Sequence, residues 1–207
     1  MPGSLPQQTV RRRPRHDPRE TEREILEAAE ELLREAPFRE VTVEQVMLRT
    51  GLKRPAFYAH FRDRYDLMLR VVAHIGGELL TKAERWLEGD DPRHDIRAAL
   101  EGIASVYLTQ GPVLRALADA APTDGRVESA YRALVQTFID ATAERIRVEQ
   151  AGGRTDPRLD SDETARALVW LCERYLSEAF GRPPREDVEK VVSVLEQIWL
   201  ATLYGGG

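Results

Sequence analysis

The chain contains a single cysteine, Cys172, so no intramolecular disulfide can form within it. No stretch approaches the roughly 20 consecutive apolar residues that a membrane-spanning helix needs. The opening "MPGSLPQQTVRRRPRHDPRE" has no apolar centre of the signal-peptide kind. A cytoplasmic protein with no membrane partner is therefore expected. Period-2 alternation is scarce, and no Asn-Gly or Asp-Gly pair joins two β-branched runs, so strands have little support. Catalytic signatures are also missing: there is no G-x-S-x-G, Walker loop or dinucleotide fingerprint. The four histidines, His16, His60, His74 and His94, stand at no metal-ligand spacing. The expectation is a protein that is not an enzyme and carries no cofactor or metal.

What the chain does have is helical periodicity and unevenly placed charge. Its 207 residues are 42% hydrophobic and 31% charged, enough for one sizeable core or for a small domain joined to a larger one. The net charge of −5 argues against a uniformly basic nucleic-acid binder. Residues 1–65, however, hold 13 Lys and Arg against 11 Asp and Glu, and the remainder holds 17 against 24. Arg11, Arg12, Arg13, Arg15 and Arg19 precede the first helix. A basic end on an acidic body suits a protein that meets an anion at one end, although a solvated disordered arm fits the charge equally well.

The spacing of apolar residues predicts an all-α fold of about nine helices. Helix one is expected over Thr21–Glu35, with a stripe of Ile25, Ala28, Ala29, Leu32 and Leu33. Thr42 can cap helix two, with Gln45 as its capping-box partner, and Gly51 can end it as a left-handed cap. Helix three spans about Arg54–His60 with Pro55 in its first turn, where a missing N–H is harmless. Asp63 caps helix four, which runs to about Glu88 and is expected to be interrupted at Gly76-Gly77, a pair that can bend it. Further helices are expected at Asp95–Thr109, Pro112–Ala121, Val127–Gln150, from Ser161 to about Phe180, and Glu186–Leu203. This divides the chain into a basic arm (1–20), a three-helix unit (21–66) and a larger helical body (67–207).

The segment "VTVEQVMLRTGLKRPAFYAHF" carries the most chemistry. Two short helices joined by a Gly-containing turn form the helix-turn-helix pattern, whose second helix enters the major groove N-terminus first. Arg54 stands at that end and can bridge guanine O6 and N7. Tyr58 and His60 can donate to phosphate oxygens. Phe57 and Phe61 are four apart and share a face that should pack on helices one and four.

With its downstream "RDRYDLM" and the preceding helix "EREILEAAEELL", this segment resembles the DNA-binding domain of TetR-family transcriptional regulators over about Thr21–Leu69. The resemblance implies phosphate contacts from Thr42, Tyr58, His60 and Arg64, and groove contacts around Glu44, Arg54 and Pro55. The chain departs from the pattern at Lys53, where a capping Ser is usual, at Ala56, where Thr is frequent, and at Met47, where a small residue is usual. Lys53 supplies charge in place of a directional bond, so the grip on phosphate should depend more steeply on salt.

The closing segments "ALVWLCERYLSEAF" and "VVSVLEQIWLATLYG" resemble the last two helices of the EthR-like branch of that family. That likeness implies an apolar tunnel for a small lipophilic effector and a homodimer built from the last two helices. By position in the pattern the pocket residues are Tyr131, Phe138, Thr142, Val169, Cys172, Glu173 and Trp199. The spacings agree, since Tyr131, Phe138 and Thr142 fall on one side of the long helix. Trp86, Tyr107 and Trp170 are further aromatics whose facing periodicity does not fix. Glu173 needs a partner if it lies in an apolar face; Arg174, Arg166 or an effector could supply one, an internal ion pair being the simpler answer. Val188, Val191, Val192, Leu195, Ile198 and Trp199 exceed what one side of a terminal helix needs, which favours a two-fold dimer. Together these features imply a repressor that binds a near-palindromic operator as a homodimer and is released by its effector. The competing reading is a helical ligand carrier of the same shape without specific DNA binding.

Overall fold

The computed structural model describes residues 17–205, and the arginine-rich stretch up to His16 lies outside them. The described residues contain eight α-helices and no strand: α1 (Pro18–Glu35), α2 (Val43–Thr50), α3 (Arg54–His60), α4 (Arg64–Glu88), α5 (Pro92–Ala120), α6 (Gly125–Ala151), α7 (Ser161–Phe180) and α8 (Val188–Tyr204). Single 3₁₀ turns at Phe38–Glu40 and Ala121–Thr123 join α1 to α2 and α5 to α6.

The local signals in the N-terminal unit form as expected. Gln45 N–H donates to Thr42 Oγ1 at 3.2 Å, and Thr42 N–H donates back to Gln45 Oε1 at 2.8 Å, which closes a capping box. Gly51 takes φ +68° at the end of α2, a left-handed conformation that glycine reaches without a Cβ penalty. Asp63 accepts from the N–H groups of Tyr65 and Asp66 at 2.8 and 2.9 Å and starts α4. Helix α1 begins earlier than Thr21, because Asp17 accepts from Arg19 N–H and Pro18 fits the first turn. Residues 18–20 of the supposed arm are therefore helical.

Two expected interruptions are absent. The break between Thr109 and Pro112 does not occur, and α5 is one 29-residue helix with Pro112 inside it. Proline there leaves the Leu108 carbonyl without its helical donor. Burial on both sides outweighs that loss, since Val106, Tyr107, Val113, Leu114 and Leu117 all lie in the core. Helix α4 likewise runs unbroken through Gly76-Gly77. Gly76 is a point of close approach: a Cβ there would lie 2.5 Å from Leu134 Cδ1 of α6. The expected boundary at 66/67 falls within α4, so one continuous helix belongs to both the small unit and the body.

Helices α4 to α8 enclose a single core that extends into α1–α3. The apolar stripe of α8 does not stand free for a second copy. Val191, Val192, Leu195 and Trp199 are buried within their own chain, packed inward with the rest of the core, and only Val188 and Ile198 of the six are half-buried. The large apolar side chains that α7 and α8 turn outward are Leu171 and Val194, each 37% exposed.

Candidate nucleic-acid interface and ligand cavity

Helix α3 separates its residues by face. Phe57 and Phe61 are fully buried with ring centroids 5.3 Å apart, as their spacing of four requires. Lys53, Arg54, Pro55 and Tyr58 are exposed, and His60 is half-buried. Thr42 and Glu44 are exposed at the start of α2. Arg54 Nη2 donates to the Tyr58 hydroxyl at 3.1 Å, and Glu44 lies near enough for its charge to act on Arg54. The structure thus brings Glu44, Arg54 and Tyr58 onto one surface. Lys53 precedes α3 in extended backbone and makes no side-chain cap.

Arg64 is placed differently from the implied phosphate contact. Its Nη1 donates to the carbonyls of Arg39 and Val41 at 3.3 and 3.4 Å, and its Nη2 to the Tyr65 hydroxyl at 3.2 Å. The guanidinium also lies 5.0 Å from the ring centres of both Phe38 and Tyr65. These contacts tie the turn before α2 to the start of α4. Arg64→Ala is accordingly expected to lower unfolding stability by about 1–3 kcal/mol, the range for carbonyl hydrogen bonds to a charged donor and a part-buried cation–π contact. Chemical denaturation reads this directly; an unchanged midpoint would leave Arg64 as a surface charge only.

The small unit joins the body through polar contacts that the sequence did not disclose. Arg34 Nη2 donates to Gln110 Oε1 at 2.7 Å, and Gln110 Nε2 donates to the buried Glu30 Oε2 at 3.0 Å. Arg126, in the first turn of α6, reaches Asp63 Oδ2 at 3.4 Å and stacks 3.9 Å from the Tyr65 ring centre. Helix α6 thereby touches the N-cap of α4.

Inside the body a cavity of about 100 Å³ lies between α4, α5, α6, α7 and α8. Tyr131, Phe138, Thr142, Val169, Cys172, Glu173 and Trp199 all line it. Trp86 and Tyr107 line it too, whereas Trp170 sits behind Tyr131, ring centroids 6.4 Å apart. Apart from Tyr107, the α5 wall (Ile96, Leu100, Ile103 and Leu114 among it) was not singled out in the sequence, although the spacing of three, four and seven from Ile96 through Tyr107 to Leu114 is helical.

The walls are aromatic and aliphatic, with few polar atoms. Trp86 meets Trp199 edge-on at 5.1 Å, and Trp199 Nε1–H donates to Cys172 Sγ at 3.0 Å. Burial pushes the Cys172 thiol up to about 12, which keeps it protonated and makes it a packing residue rather than a nucleophile. Burial also pushes the Tyr107 and Tyr131 hydroxyls well above their usual range. Glu173 accepts from Ser177 Oγ at 3.0 Å, and its charge helps to raise the nearby Tyr131 hydroxyl. The internal ion pair expected for it does not form: Arg174 pairs with Glu178 at 2.8 Å and Arg166 with Glu163 at 3.3 Å. Those carboxylates stand on the outer surface of α7 and capture the arginines there.

Among the described residues no helix is long and apolar enough to cross a membrane. No group of three or more His, Cys, Asp or Glu side chains among them could hold a metal ion.

Comparison with known proteins agrees with this arrangement at both ends of the chain. Residues 25–71 match the family described as bacterial regulatory proteins of the tetR family, and residues 96–205 match the C-terminal domain of the transcriptional regulator EthR. The chain is 30% identical to the HTH-type transcriptional regulator EthR of Mycobacterium tuberculosis, over 98% of this chain and 95% of that one. It is 28% identical to EthR of Mycolicibacterium smegmatis, over 93% and 89%. Among solved structures, Salmonella enterica GusR superimposes with a TM-score of 0.77 at 18% identity, covering 88% of this chain and 95% of that one. Both EthR relatives are named transcriptional regulators, and the chain belongs to the TetR family of transcriptional regulators, with a helix-turn-helix DNA-binding domain and a C-terminal domain of the EthR type.

Proposed function

We propose that the protein is a homodimeric repressor that binds a near-palindromic operator in the cytoplasm and leaves it when a small lipophilic effector occupies the cavity. The observation that carries this reading is that one rigid element serves both sites. Helix α4 starts at the helix-turn-helix unit with Asp63 and Arg64, and walls the cavity further on with Leu79, Ala83 and Trp86. Helix α6 is arranged likewise, with Arg126 on Asp63 and Tyr65 at one end and Tyr131 and Phe138 on the cavity at the other. A ligand that widens a cavity of about 100 Å³ must part these helices, and that shifts the pose of α3. The coupling equals the ligand's differential affinity for the two arrangements.

Dimerisation supplies the operator symmetry. Leu171 and Val194 leave apolar surface on the last two helices, and a two-fold pairing through them sets two α3 helices on successive major grooves. In the interface, Thr42, Lys53, Tyr58 and His60 hold phosphate while Glu44, Arg54 and Pro55 face the groove.

Selection of bound sequences from a random DNA library is expected to enrich a near-palindrome with half-sites one helical turn apart. Arg54→Ala is expected to retain binding at low salt while relaxing preference at one symmetric base pair by about 10-fold or more, the loss of a bidentate contact to guanine. No enrichment with the wild-type protein would overturn the repressor reading, and an unchanged preference in the variant would remove Arg54 from base readout.

A further inference from the structure

The cavity's polar equipment is unusual for a site that would take a neutral lipid. Among its lining residues there is no Lys, Arg or His, and Glu173 is the one carboxyl. The remaining ionisable lining groups are Tyr107, Tyr131 and Cys172, which burial holds in their neutral forms. The polar groups beside Glu173 are neutral: the Ser177 hydroxyl donates to it at 3.0 Å, and the Tyr131 hydroxyl lies near enough to feel its charge. A carboxylate has about four acceptor positions, so acceptor capacity remains on this lining residue. The nearest guanidinium on its own helix, Arg174, acts on the Tyr131 hydroxyl from a distance but is committed to Glu178 at 2.8 Å. No Lys or Arg among the described residues lies within ion-pair distance of Glu173.

Aromatic rings line the same cavity. Trp86 and Trp199 pack edge to face, and Tyr107, Tyr131 and Phe138 complete the wall. Ring faces attract a cation, more strongly where water is excluded. A charge-assisted bond to a carboxylate is about twice as strong as a neutral one. A ligand carboxylate, in contrast, would meet Glu173 as a like charge in an apolar surrounding.

Building on the reading of this cavity as the effector site, we propose that its effector is a lipophilic amine, a slender apolar body whose ammonium group is held by Glu173 among the aromatic rings. The small volume of the cavity, about 100 Å³, favours an arylalkyl or alkyl amine over a bulky polycycle.

Three probes of one shape separate the possibilities: 4-phenylbutylamine, 4-phenylbutan-1-ol and 4-phenylbutyrate. Calorimetry on the full chain, with tryptophan fluorescence reporting Trp86 and Trp199, is expected to rank the amine about 10-fold or more tighter than the alcohol, and the carboxylate weakest, as expected of a desolvated charge pair. Glu173→Gln keeps an acceptor for Ser177 and Tyr131 and leaves the overall acidic surface in place. It is expected to bring amine and alcohol within about twofold of each other, the residue of neutral hydrogen bonding. The ranking is read on the wild-type protein and so stands even where the variant folds poorly. An alcohol that binds as tightly as the amine overturns the cation preference while leaving the cavity a ligand site. An amine preference that survives Glu173→Gln overturns the role of Glu173. Failure of all three probes to bind overturns the effector-cavity reading itself, and this proposal with it.

Discussion

Phe57→Ala is expected to abolish operator binding and to destabilise the helix-turn-helix unit by about 3–5 kcal/mol, the usual range for removing a buried phenyl ring. Helix α3 has only seven residues, far below the roughly 12–15 at which an isolated helix becomes even marginal in water. It exists because Phe57 and Phe61, both essentially inaccessible to solvent, fasten it to the core. No side chain caps its N-terminus, since Lys53 makes no such bond, so nothing local replaces the lost packing. Truncation therefore releases the element that carries Arg54 and Tyr58. Amide hydrogen exchange should show protection lost first in α2 and α3, while α5–α7 retain theirs. Phe57→Leu keeps most of the volume and is expected to cost less than about 1.5 kcal/mol. An alanine variant that binds DNA and exchanges like the wild type would mean that α3 is held by something other than its aromatic face.

Helix caps and buried faces in the N-terminal unit were legible because they depend on neighbours three or four residues away. Thr42 with Gln45, Gly51 with its left-handed turn, and Asp63 with its two amides are each complete in a short stretch of sequence. Placement of Tyr131, Phe138 and Thr142 on one side of α6 follows from the same periodicity. Pro112 misled because its local penalty is real, whereas the burial that overrides it comes from helices distant in sequence. The α8 stripe misled in the opposite sense: periodicity shows that Val191, Val192, Leu195 and Trp199 share a face, but not whether that face meets its own chain or a second copy. Arg64 and Arg174 show the same limit for charge. A sequence shows that an arginine is present; only the fold shows that one lies against Phe38 and Tyr65 and the other on Glu178. The acid that the fold buries most deeply, Glu149, left no trace at all. With Arg145 four residues before it, it reads as an ordinary surface pair on a helix.

Glu149 is instead a buried junction of three helix ends, and its replacement is expected to be among the most damaging single changes in the body. It is 1% exposed. Arg145, itself only 8% exposed, approaches its Oε1 at 3.0 Å, and Arg154 holds both oxygens at 2.8 Å. Arg145 also donates to the carbonyls of Leu87 and Gly89 at 3.2 and 2.7 Å, which satisfies acceptors left over where α4 ends. The Tyr204 side chain, at the last turn of α8, lies close enough to the same carboxylate for the two groups to interact. Glu149→Leu leaves the Arg145 charge buried without its counter-charge, a change that typically costs about 3–5 kcal/mol. Adding Arg145→Met to that variant should recover part of the loss, because the stranded charge is then gone; a double variant no more stable than the single one would show that the carbonyl contacts of Arg145, and not the pair, carry the stability. The pH dependence has a definite sign. The hydrogen bonds from Arg154, more than the opposing effect of burial, hold the Glu149 carboxyl below its ordinary value of 4.5, and the charges of Arg145 and Arg154 act in the same direction. A depressed acid in the folded state contributes stability that is fully present above its unfolded pKa and is lost as pH falls through the folded one. Wild-type protein should therefore lose stability below about pH 4.5 more steeply than Glu149→Leu does, since only the wild type has this carboxylate to protonate. Denaturation midpoints compared from pH 7 down to pH 3 read the difference, and parallel curves would place Glu149 outside the acid response of the fold.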